Sequence, residues 1–259
     1  MSFEFDGEKY KKASAHQKEW ANNILKELNF TGKETILDLG CGDGAITKQL
    51  AHLVPCGNVI GIDASEGMIA TAQKGKKDRN LRFELKNINH INYTNQFDFI
   101  FSNACLHWIL DHKELLKRTF DALKTGGVIR FNFAGDGNCA FFYKVVREAM
   151  TTSRFKEYFL GFSWPWYMPS IEAYKKLVSA TEFSEIEIWG ENADRYFEDS
   201  SAMIAWVDQP SIVPFLSCIP KPEKKHFRDY VVEQMIKETQ QEDGTCFETF
   251  RRVNIKAKK

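Results

Sequence analysis

The stretch Thr35-Ile36-Leu37-Asp38-Leu39-Gly40-Cys41-Gly42-Asp43-Gly44-Ala45 decides the fold. Its first five residues are a short apolar run of strand type. The glycines at 40, 42 and 44 follow at every second position, and Ala45–Leu53 then places Ile46, Leu50 and Leu53 on one helical face. Strand, glycine turn and helix make the opening unit of an α/β sheet, and a turn without side chains lets the backbone approach a ligand closely.

The same alternation continues outward. Asn58–Asp63 (NVIGID) reads as a second strand, followed by a helix through Met68, Ile69 and Ala72. Leu81–Leu85 is a third strand and Phe97–Ser102 a fourth. A helix over Leu115–Leu123 and a fifth strand over Val128–Phe133 flank the turn Thr125-Gly126-Gly127. Upstream, Trp20, Ile24 and Leu28 recur at helical spacing, which predicts a helix starting near Ala13. Five alternations imply a parallel sheet covered on both faces.

From Gly135 to about Ser170 the alternation stops. Residues 131–167 hold twelve aromatics where the 14% aromatic content predicts about five, and the segment reads as a lid. Regularity returns with a helix over Ile171–Ala180, a strand over Glu185–Gly190, a helical stretch from Lys221 to about Thr239, and period-two alternation over Phe250–Ala257. The expected fold is α/β: a Rossmann-like parallel sheet with a final antiparallel strand, helices on both faces and a mostly helical lid. The expected divisions are 1–134 for the cofactor core with its N-terminal helical segment, 135–180 for the lid, and 181–259 for the rest of the core sheet with further helical cap segments.

Charge narrows the ligand. Gly40-x-Gly42-x-x-Ala45 also satisfies the relaxed dinucleotide fingerprint, whose purpose is to seat a pyrophosphate on a helix N-terminus. Asp38 and Asp43 flank the turn, and two carboxylates there repel a pyrophosphate but suit a cation. S-adenosylmethionine (SAM) carries an ammonium and a sulfonium. Asp63, at the end of the second strand, is placed to accept both ribose hydroxyls, a feature common to either cofactor.

The totals agree with a small-molecule role. Thirty-five basic and 35 acidic side chains cancel, so no global field favours nucleic acid or an anionic membrane. The basic tail alternates with Val253 and Ile255, the pattern of an edge strand defended by charge. The first residues hold no apolar run of signal or membrane type, so a cytoplasmic monomer or homodimer is expected. The six dispersed cysteines make no metal-ligand spacing and read as reduced thiols.

At Asp38–Gly44, Gly61-Ile62-Asp63-Ala64-Ser65 with Met68, and Leu123-Lys124-Thr125-Gly126-Gly127, the chain resembles class I SAM-dependent methyltransferases over roughly residues 10–133. The resemblance implies SAM binding by Asp38, Gly40, Cys41, Gly42, Asp63, Ala64, Met68, Asn87, Ile88 and Asn103. Asn87 stands where that family usually has an aspartate holding the adenine amino group, and its amide oxygen can accept the same hydrogen bond.

The segment Phe99–His112 (FIFSNACLHWILDH) is similar to trans-aconitate methyltransferases and to insect juvenile hormone acid methyltransferases, which esterify carboxylates. Ala205-Trp206-Val207 and Pro214-Phe215-Leu216 resemble the C-terminal portion of the former. Ser14-Ala15-His16-Gln17 resembles the segment of the latter that supplies a glutamine to the substrate. The resemblance implies that Gln17 and the indole N–H of Trp108 orient the acceptor, and we expect Phe133 and Trp166 to line its pocket. A carboxylate is ionised at neutral pH and requires no general base, so His107 reads as a structural group rather than a base. The aromatic lid favours an apolar acid over a tricarboxylate. The competing readings are a C- or N-methyltransferase of a small metabolite and a non-catalytic SAM-binding module.

Overall fold

A computed structural model of the chain describes residues 15–74 and 78–259, with the backbone alone at 15–17, 209 and 210. The first helix, α1 (Ala15–Glu27), precedes the run β1 (Thr35–Leu39), α2 (Ala45–Leu53), β2 (Asn58–Asp63), α3 (Glu66–Ala72), β3 (Leu81–Leu85), β4 (Phe97–Asn103), α4 (His112–Ala122) and β5 (Leu123–Ala134). The elements follow from local chemistry. Ser65 caps α3 by accepting from the Met68 N–H, and Asp111 caps α4 by accepting from the Glu114 N–H. The remaining elements are α5 (Ala140–Thr151), α6 (Ile171–Ser179), β6 (Ser184–Asn192), β7 (Arg195–Phe197), α7 (Ser200–Trp206), α8 (Val213–Ser217), α9 (Lys221–Thr239), β8 (Cys246–Glu248) and β9 (Arg251–Lys258).

Seven strands form one sheet in the order β3-β2-β1-β4-β5-β9-β6, and β1 to β5 pair in parallel. The chain's last residue exchanges backbone hydrogen bonds with Gly126 and Gly127 at the start of β5, while Val253 packs at Gly135 beyond its end. Strand β9 is therefore the antiparallel member, as the period-two pattern predicted. Alternate residues face two cores. Leu37, Ile60, Ile100, Ile129 and Ile255 point to one side, and Ile36, Val59, Phe99 and Phe101 to the other with Ile24 and Leu25 of α1.

The strand order reverses between β1 and β4, and in open α/β sheets ligands bind beyond the carboxyl ends of the strands at such a point. The chain folds as two compact units, of which the sheet unit holds residues up to Gly135, Trp166–Glu191 and Val253–Lys259. The second holds Asp136–Pro165 and Asn192–Arg252. Trp166–Ala180, expected as part of the lid, falls in the sheet unit, and Asn192–Arg252 falls in one unit with the segment after Gly135. The second unit has its own aromatic core, in which Phe142 meets Trp206 and Phe215 edge-on and Phe155 meets Phe227. Helix α5 lies within the segment expected to be a mostly helical lid. Its first N–H groups are capped from far along the chain, since Glu248 accepts from Phe141 and Phe142.

Candidate active site

Beyond β1 the backbone turns through three left-handed glycines, Gly40 (φ 74), Gly42 (φ 54) and Gly44 (φ 76). The turn is tied to β2, because the Gly40 and Cys41 N–H groups both donate to the Ile62 carbonyl at 2.9 Å. No side chain fits at Gly40, where a Cβ would stand 2.1 Å from Cys105 Sγ, or at Gly44, where it would meet Phe83 and Ala72. Asp63 fixes the turn from the end of β2, accepting from the Gly42 N–H at 2.9 Å with one oxygen and from the Ser65 N–H at 3.0 Å with the other. A carboxylate has about four acceptor positions, so these bonds leave Asp63 able to take ribose hydroxyls as well.

Asp38 is buried, and its carboxylate accepts a 2.7 Å hydrogen bond from the Thr47 hydroxyl of α2. Burial pushes its pKa up to about 7 against the lowering effect of Thr47, and Asp63 raises it further. Asp38 is thus poised between its acid and its anion, and a nearby cation favours the anion. Asp43 pairs with Lys18 of α1 at 2.8 Å. Burial raises the Cys41 and Cys105 thiols well above the usual range, and both acids add to this, so neither is a thiolate nucleophile.

The other residues expected to hold SAM ring the same strand ends. Ala64 follows Asp63 half-buried, and Met68 is buried on α3. Asn87 follows β3 and its Oδ1 accepts from the Asn89 N–H, capping the short turn Ile88–His90 in which Ile88 is buried. Asn103 ends β4 opposite Asn132 of β5.

Ser102 joins the two strand ends at the switch point by donating to the Leu39 carbonyl at 2.7 Å. Ala104 then takes a left-handed conformation (φ 55) and its N–H donates to the Asn132 carbonyl. The turn Leu106–Trp108 follows directly. Half-buried Trp108 and Trp166 meet edge-on with ring centroids 5.4 Å apart. Phe133 is corrected: it is fully buried, packed against His112 and Tyr174, and supports the site from within the core. The Gln17 side chain lies outside the described residues; its backbone is in the first turn of α1. His112 drew no attention in the sequence, yet it is buried between Leu106 and Tyr174.

Comparison with known proteins agrees with this arrangement. Residues 36–127 match a family described as a methyltransferase domain. The chain is 28% identical over 244 residues to the trans-aconitate 2-methyltransferase of Escherichia fergusonii, covering 92% of each. It is 33% identical over 123 residues, 46% of each chain, to the malonyl-[acyl-carrier protein] O-methyltransferase of Bacillus cereus. Its fold is similar to that of Haemonchus contortus phosphoethanolamine N-methyltransferase 2 in complex with SAM, with a TM-score of 0.60 and 20% identity, covering 98% of this chain and 56% of that one. Glycine turn, strand-end acids, sheet order and relatives together define a class I SAM-dependent methyltransferase. SAM is its methyl donor.

Proposed function

We propose that this enzyme transfers the methyl group of SAM to the carboxylate of a small organic acid. The observation that carries the reading is the contact between the two turns. Cys105, which leads into Leu106–Trp108, lies directly against Gly40 of the cofactor turn. An acceptor held at Trp108 is therefore presented beside the cofactor. The two relatives carry names that describe methyl transfer to trans-aconitate and O-methyl transfer to malonyl-acyl carrier protein, both of which bear carboxylates.

In this proposal the SAM-holding residues are Asp38, Gly40, Cys41, Gly42, Asp63, Ala64, Met68, Asn87, Ile88 and Asn103. SAM supplies an electrophilic methyl on a cationic sulfur, and the chain's task is to place a nucleophile in line with it and exclude water. Trp108 and Gln17 would donate hydrogen bonds that orient the carboxylate while leaving it nucleophilic. Positioning and desolvation then supply the rate without proton transfer. An apolar acid suits the site better than a tricarboxylate, because Lys18 of α1 and Arg130 of β5 are already engaged, Lys18 with Asp43 and Arg130 with Glu27 and Asn254. The test is methyl transfer by Trp108→Phe, Gln17→Ala and the double variant with an apolar acid. Each single change should lower the rate with SAM affinity nearly intact, and the double should cost less than the two combined, because both donors fix the same oxygens. Additive losses, or a parallel loss of SAM binding, would contradict the assignment.

A further inference from the structure

Histidine 112 is the first residue of α4, and it is buried with a neighbour on every side. Its Nε2 lies 2.9 Å from the Leu106 carbonyl and its Nδ1 3.1 Å from the Tyr174 hydroxyl. A carbonyl can only accept, so Nε2 carries the hydrogen, and Nδ1 accepts from the tyrosine. The chain of donors runs from the Tyr174 O–H to His112 and from His112 to Leu106, with the tautomer fixed. Burial lowers the imidazole pKa to about 4 against the raising effects of the Leu106 and Ile109 carbonyls and Asp111, so His112 is neutral at physiological pH. The rings of Phe133, Tyr167 and Tyr174 enclose it at centroid distances of 5.1, 4.7 and 5.4 Å. A second bond holds the same turn from outside, where the Tyr167 N–H donates to the His107 carbonyl at 2.8 Å.

We propose that His112 is a positioning residue for methyl transfer, which sets the place of Trp108 by holding the Leu106 carbonyl in the orientation that Tyr174 dictates. The inference rests on the reading of Leu106–Trp108 as the acceptor turn. A neutral donor in an apolar shell is a rigid support, because the carbonyl has no competing water to turn to. His112→Leu fills similar space but removes one of the two donors to the Leu106 carbonyl, leaving it only the Ile109 N–H at 2.9 Å, and its second acceptor position is then unmet in an apolar shell, which costs free energy that a shift of the turn relieves. The turn then moves, and an error of about 1 Å in acceptor placement can reduce a rate by roughly 100-fold. Glutamine at 112 keeps an amide N–H for Leu106. Tyr174→Phe keeps the ring packing but removes the hydroxyl that selects the tautomer.

The experiment compares the wild type with His112→Leu, His112→Gln and Tyr174→Phe, reading kcat and KM for the acid, SAM affinity by calorimetry, and the Trp108 indole N–H resonance assigned with Trp108→Phe. His112→Leu should lower kcat by roughly 10–100-fold with SAM affinity within about twofold, His112→Gln should recover most of that rate, and Tyr174→Phe should fall between them. The indole resonance should move in step with kcat. An unmoved resonance in all three variants, or equal losses of kcat and SAM affinity, overturns the proposal. If His112→Leu does not fold, the glutamine and phenylalanine variants decide by the same resonance. If the wild type forms no ester from any acid, the carboxylate reading fails separately, and the resonance still tests whether His112 places Trp108.

Discussion

Lys18 of α1 and Asp43 of the cofactor turn form an ion pair at 2.8 Å, with the aspartate side chain only 7% exposed. It links the helix that carries Gln17 to the glycine turn proposed to take SAM. Elsewhere the helix is tied down by Asn22, which accepts from Gln49 at 3.0 Å, and by Glu27, which accepts from Arg130 at 3.2 Å. Lys18→Met and Asp43→Asn should each cost about 1 kcal/mol, and together little more than either alone, since the pair is partly exposed. Denaturant unfolding of the two single variants and the double measures the coupling. Strict additivity would mean that the pair contributes nothing.

Asp63→Ala removes the acceptor that holds the Gly42 and Ser65 N–H groups as well as the proposed ribose contact. SAM affinity should fall by roughly one to two orders of magnitude. Calorimetry on the folded variant checks this, and unchanged affinity would remove Asp63 from the cofactor site.

Asp38 predicts a pH dependence. Because its pKa is raised in the folded protein, its contribution to stability is present at low pH and is lost as the pH climbs from the ordinary aspartate range to about 7. A SAM cation nearby favours the ionised form, so cofactor binding should release a proton near neutrality and tighten as the pH rises from about 6 to 8. Calorimetry in buffers of different ionisation enthalpy measures the proton. Asp38→Asn should abolish the release; a release that persists in that variant would have another source.

Gly40→Ala should destabilise the fold and weaken SAM binding, because the new methyl meets Cys105 and the left-handed backbone is strained for any side chain. Cys105→Gly in the same chain should restore only the steric part, leaving about 1 kcal/mol of strain. Thermal melts of the two singles and the double separate the terms. No recovery in the double would place the cost in the backbone alone.

The strands β1 to β5 were legible because each is a short apolar run closed by a turn signal, and Gly40 to Gly44 fixed where the site lies. Asp38 and Asp63 were legible as charges at strand ends, and Asp43 as a charge within the glycine turn. Other features depend on partners far along the chain. Helix α5 has no side-chain cap from its own N-cap residue, and its first N–H groups are taken by Thr249 and by Glu248, the latter 106 residues beyond Phe142. The second unit is interrupted by Trp166–Glu191, so no single boundary in the sequence describes it. Phe133 reads as an aromatic wall residue until β5 is seen to turn it into the core. His112 looks like a polar first residue of a helix, and only Tyr174, 62 residues later, gives it a role.

The most direct test of the central claim is a product assay. The purified enzyme, with SAM labelled in its methyl group, is offered fatty, terpenoid and polycarboxylic acids alongside amine and carbon acceptors of similar size, and the products are resolved by mass spectrometry. The account predicts label in a base-labile methyl ester of one or more acids, strongest for an apolar acid, with a rate that does not climb through a histidine-like pKa between about pH 6 and 8. Label found only on nitrogen or carbon, with a rate that rises near pH 6.5 and vanishes in His107→Ala, would contradict it.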